Sequence, residues 1–136
     1  MKKLILTAVM IASIFCVLIC GCGRSDSKLV GTYYLVTVTA DDGSGEKIYT
    51  SDGSNRGITK KSFILEVKDN YRWDMIISLP DIEETEHGRW KEKEGACYLK
   101  EDWDDPEIVL RYNNGIVTFE MNENGYAMSV TLSKNF

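Results

Sequence analysis

Few residues in this chain have a type and spacing that could do chemistry. His87 is the only histidine, and the four cysteines stand at 16, 20, 22 and 97. A nucleophilic triad or a histidine-based zinc site needs more partners than one His and one downstream Cys provide. The sequence holds no His-Glu-x-x-His, no Gly-x-Ser-x-Gly and no phosphate-binding glycine loop. Carboxylates are plentiful: residues 81–107 carry 11 acidic and 4 basic side chains, densest in Glu101-Asp102-Trp103-Asp104-Asp105-Pro106-Glu107. Asp102, Asp104 and Asp105 are the set a hard cation such as Ca²⁺ would use. The residue order of an EF-hand is missing, so a solvated acidic loop without metal is the expectation. A catalytic carboxylate pair needs one member in an apolar setting. Glu66 and Asp74 have apolar neighbours, but strand parity turns both outward, as it does His87; Glu86 is grouped with outward charges such as Arg89 and Lys91. No catalytic group, cofactor or metal is expected, and the chain reads as a binding or interaction module, not an enzyme.

What remains is apolar, and a period of two positions it. Phe63, Leu65 and Val67 form one run, followed by Tyr71, Trp73, Met75 and Ile77. Trp90, Ile108 and Leu110 continue the inward set, then Phe119 and Met121, then Tyr126, Met128, Val130 and Leu132. The intervening positions are mostly polar, as in half-buried antiparallel strands. Lys68-Asp69-Asn70, Lys93-Glu94-Gly95, Asn113-Asn114-Gly115 and Asn122-Glu123-Asn124-Gly125 separate these runs with hairpin chemistry. The predicted strands are 32–39, 62–67, 71–78, 86–92, 97–100, 107–112, 116–121 and 126–133. Eight antiparallel strands in an up-and-down meander lose their exposed edges by closing into a barrel. The 40–61 connection is too long for a turn and is expected to cover one mouth, with a short strand at 48–50 and a helical turn at 51–57. A barrel of this size is either filled by side chains or holds one small ligand. So many large inward residues favour filling. In the other case Tyr71, Trp73, Trp90, Phe119, Tyr126 and Met128 line a site for a small apolar molecule.

The N-terminus has its own pattern. Lys2 and Lys3 precede an uncharged apolar run over 4–20, and Gly21 places a small residue before Cys22. Ile19-Cys20-Gly21-Cys22 resembles the lipobox of bacterial lipoproteins. That resemblance implies removal of a signal-peptide helix at 1–21 and lipidation of Cys22, followed by a short tether at 22–28 and one domain at 29–136. The expected location is the extracytoplasmic face of the cell membrane, held by the lipid anchor.

Removing Lys2 and Lys3 from the 16 basic residues leaves 14 against 21 acidic ones, a net charge of −7. Such a balance argues against nucleic acid as a partner and leaves membrane contact to the anchor. With Cys22 acylated, Cys97 is the only thiol of the mature chain, so no internal disulfide forms and a small buried strand residue is expected. A monomer is expected.

Leu29-Val30-Gly31-Thr32-Tyr33, Phe63-Ile64-Leu65, Gly88-Arg89-Trp90-Lys91 and the closing Gly115–Leu132 hairpin are similar in order and spacing to the small lipocalin-like domains of bacterial lipoproteins. The resemblance covers about residues 29–134. It implies the barrel architecture, with Gly31-Thr32-Tyr33 in the slot where lipocalins carry Gly-x-Trp, and only faintly implies a ligand.

Overall fold

The computed structural model describes residues 25, 27–101, 107–123 and 125–135. Their strands are β1 (Gly31–Asp41), β2 (Glu46–Thr50), β3 (Phe63–Val67), β4 (Arg72–Leu79), β5 (Ile82–Lys93), β6 (Ala96–Lys100), β7 (Ile108–Asn113), β8 (Ile116–Glu123) and β9 (Tyr126–Ser133). Each pairs antiparallel with its sheet neighbour, and β1 also pairs with β9 from Tyr34↔Ser133 to Asp41↔Ala127. Eight strands therefore close a meander barrel as the periodicity predicts, and β2 is a ninth strand outside the closed ring.

The position of β2 follows from the shortness of β3. The first half of β1 pairs with β3 (Gly31↔Val67 to Tyr34↔Ile64), and its second half pairs with β2 (Thr37↔Thr50 to Asp41↔Glu46). At this changeover β1 carries a bulge against β9 between Leu35 and Thr37. One extra residue, Val36, moves the inward positions from Tyr33 and Leu35 to Val38 and Ala40. Within the 40–61 connection, expected to cover one mouth, Ile58 docks into the core and a short 3₁₀ turn (Lys60–Ser62) begins that packs against β1 and β4. Thr59 caps this turn through Lys61 N–H, and Ser62 Oγ accepts from Thr59 N–H in return.

Two of the hairpins use paired left-handed residues, Glu94-Gly95 (φ 54 and 79) and Asn114-Gly115 (φ 49 and 82), the conformation that matches strand twist. The β3–β4 turn departs from expectation. Its left-handed position is filled by Tyr71 (φ 65), so β4 begins at Arg72 and Tyr71 is 42 % exposed instead of facing inward. A three-residue hairpin loop needs one residue in this conformation, and that demand outweighs continuation of the alternation. The tyrosine ring leans on Trp90, with centroids 5.0 Å apart.

The interior is packed with side chains. Tyr33, Leu35, Phe63, Leu65, Trp73, Met75, Leu99, Leu110, Val117 and Leu132 are at most 1 % exposed, and Phe63 meets Phe119 edge-on at 6.0 Å. Cys97 is buried as expected, and its burial pushes the thiol up to about 12. The buried indoles are satisfied by backbone carbonyls: Trp73 Nε1–H donates to Arg89 O at 3.1 Å and Trp90 Nε1–H to Lys68 O at 2.8 Å. One end is stoppered by the segment before β1, where Leu29 is buried and its carbonyl accepts from the Tyr33 hydroxyl at 2.6 Å.

Candidate functional site

Among the described residues the strand pairing of the barrel wall is interrupted on one side, because four strand segments differ in length. β6 pairs with β5 only from Arg89 to Lys93, and β7 pairs with β8 only from Ile116 to Thr118. Among the described residues the first half of β5 and the second half of β8 therefore have no ladder between them. A slot of about 300 Å³ opens there, with Trp73, Leu99, Ile108 and Met121 as its apolar lining and Glu86, Glu101 and Glu123 among its carboxylates.

Parity explains how carboxylates come to line it. β5 starts at Ile82, earlier than the predicted residue 86, and Ile82, Gly88 and Trp90 all point inward. Glu84 and Glu86 share their parity and are half-buried, which corrects the outward placement expected for Glu86. Burial is the main cause that raises the Glu86 carboxyl to about 8; a hydrogen bond with Glu123 and the charges of Glu123, Glu101 and Glu84 add to it. Two carboxyls sharing one proton hold each other best when one is neutral. Glu66 and Asp74 do point outward as expected, where Lys68 Nζ reaches them at 3.6 and 2.5 Å, and His87 is exposed.

Gly88 sets how closely the slot is built. A Cβ at this position would lie 2.0 Å from the Lys100 carbonyl oxygen and 2.8 Å from Glu101 Cα. The end of β6 thus runs directly over the inner face of β5, and only a residue without a side chain admits it.

The structure does not gather the six candidate ligand residues into one pocket. Trp73 lines the slot; Phe119 and Met128 are buried in the core; Tyr126 is half-buried against it. Tyr71 and Trp90 stack on each other toward the stoppered end. Cys22 and the leader, like Asp102, Asp104 and Asp105, lie outside the described residues. Among the described residues no group of three or more His, Cys, Asp or Glu side chains is arranged to hold a metal ion. The signal for Glu86 lies in the alternation itself, since it stands on the parity of Trp90 within 86–92; Glu84 has the same parity but precedes the predicted strand.

Fold and slot together define a small closed antiparallel barrel of eight strands, with one added strand and a lateral opening rimmed by carboxyls. No protein family matches the chain, and comparison with the curated proteins and with the solved structures yields no match.

Proposed function

We propose that this chain is an envelope lipoprotein, held at the extracytoplasmic face of the membrane by acylated Cys22, whose lipocalin-like barrel is a non-enzymatic binding module. Its ligand is a small molecule with an apolar body that rests over Trp73 and Met121 in the slot. The observation that carries this reading is the break in the wall between β5 and β8, where apolar floor and carboxyl rim meet in about 300 Å³. The packed interior leaves the slot, not the barrel axis, as the place for a ligand. Its rim favours a ligand that presents a donor or cationic group to Glu86 and Glu123.

Titration of tryptophan fluorescence with a hydrophobic amine probe and its neutral isostere tests the reading. Saturable quenching by the amine, lost in Met121→Trp, is the expected result. A flat titration with both probes refutes slot binding. The packed core also favours a second reading, a non-enzymatic interaction or structural lipoprotein whose acidic outer surface engages a basic envelope protein. Salt-sensitive capture of one partner together with a flat titration would support that alternative.

A further inference from the structure

We infer that the outer face of β4–β5–β6 is a docking groove for anionic phospholipid headgroups of the membrane that holds the chain. The inference rests on the tethered reading above. Arg72 lies directly opposite Arg89, and Arg89 directly opposite Lys100, so three cations stand in one row across three neighbouring strands. Like charges in direct cross-strand register destabilise a sheet. Among the described residues no carboxylate forms an ion pair with any of the three. The nearest outward acid on β4, Asp74, is taken by Lys68 at 2.5 Å.

The row lines a groove of about 450 Å³ together with Lys91, His87 and Tyr98 of β5 and β6. Glu101 and Glu107 also line it, and Glu107 is 3.6 Å from Lys91. Among the described residues that line it, Arg72, Arg89, Lys91 and Lys100 outnumber Glu101 and Glu107, a local excess of cations in a chain of net charge −5.

Position selects the occupant. Ser25 N–H donates to the Asp69 carbonyl at 2.6 Å, in the turn that leads into Arg72. Cys22 precedes Ser25 by three residues, a reach of about 11 Å at full extension. An acyl group on Cys22 therefore brings this flank of the barrel to the bilayer surface. There each basic side chain strengthens attachment to anionic lipid by roughly fivefold, within about a Debye length. A net charge of −7 for the mature chain suggests contact through the anchor alone; the cross-strand row supplies a local exception.

The test uses the full chain reconstituted in phosphatidylcholine vesicles, with or without a third of the lipid replaced by phosphatidylglycerol. Amine acylation of Lys100 and dicarbonyl labelling of Arg72 and Arg89 are read by mass spectrometry, with exposed Lys61 as the internal control. The expected result is labelling of the row reduced about fivefold in the anionic vesicles and restored by high salt, with Lys61 unchanged. Arg89→Gln/Lys100→Gln, which removes repulsion and keeps the fold, should abolish the protection at Arg72. Equal labelling in the two kinds of vesicle, whether high or low, overturns the inference. So does equal protection by inorganic phosphate added to neutral vesicles, which would assign the groove to a free anion. Failure to float with neutral vesicles removes the tether, whereas flotation with unchanged labelling removes the groove alone.

Discussion

The side-chain amide of Asn55 stands in for a missing strand beside Thr50. Thr50 N–H donates to Asn55 Oδ1 at 2.9 Å, and Asn55 Nδ2 donates to the Ile48 carbonyl at 3.4 Å. These two backbone groups point away from β1, along the free edge of β2. Thr50 Oγ1, Asp52 and Ser54 tie the same loop together, and the hydrogen bonds from Ser54 and Thr50 draw the Asp52 carboxyl down to about 2.

Asn55→Ala should leave the barrel intact while uncovering this edge. Ile48 is already 55 % exposed, and an open edge with an apolar residue invites pairing with a second copy. The expected outcome is a loss of about 1 kcal/mol in denaturant unfolding and concentration-dependent self-association in light scattering. A strictly monomeric variant at high concentration would show that the edge is protected by something other than the amide.

Gly88→Ala tests the close passage of β6 over β5. With the Lys100 carbonyl 2.0 Å from the added carbon, the end of β6 must move. Overpacking of this kind costs about 1–3 kcal/mol, with more where backbone is displaced. Urea unfolding should show a midpoint shift of that order, and the slot lining at Leu99 should become more accessible. An unchanged midpoint would mean that residues 100 and 101 yield freely.

Stability should fall as pH rises through the titration of Glu86. Its carboxyl is raised from 4.5 to about 8 in the folded chain, so between those values the folded state holds a proton that the unfolded state has released. The contribution is therefore fully present below about 4.5 and lost as pH climbs through about 8. Glu86→Gln, which is neutral throughout, should match the wild type at pH near 5 and melt higher at pH near 9. Parallel melting curves across that range would place Glu86 in water and remove the shared proton with Glu123.

Tyr71 separates backbone strain from ring stacking. A left-handed non-glycine residue costs about 1–2 kcal/mol, and an aromatic pair contributes about 0.5–1.5 kcal/mol. Tyr71→Ala loses the stack on Trp90 and keeps the strain; Tyr71→Gly loses the stack and relieves it. Chemical denaturation should rank the glycine variant about 1 kcal/mol above the alanine variant. Equal stabilities would show that the turn tolerates the side chain without strain.

Much of this barrel was legible in the residues themselves. Alternation placed Phe63, Leu65, Val67, Trp73, Met75 and Ile77 on one face, and all are buried. The Asn-Gly at 114–115 and Glu-Gly at 94–95 marked tight turns that the backbone adopts. These signals are local: a side chain's parity and a turn's φ depend on neighbours within a few positions.

What alternation could not foresee depends on distant partners. The bulge at Val36 arises where β1 exchanges β3 for β2 while remaining paired with β9, and it reverses the parity of Val38 and Ala40. Tyr71 follows the pattern of a strand residue yet is taken by the turn. Glu86 stands on the inward parity of Trp90 although it is charged, and only the closed sheet brings Glu123 of β8 beside it. The slot exists because β6 and β7 stop short of β5 and β8, and the basic row because register sets Arg72, Arg89 and Lys100 in line. Period two decides which way a side chain turns within a strand; only the closed sheet decides what it turns toward.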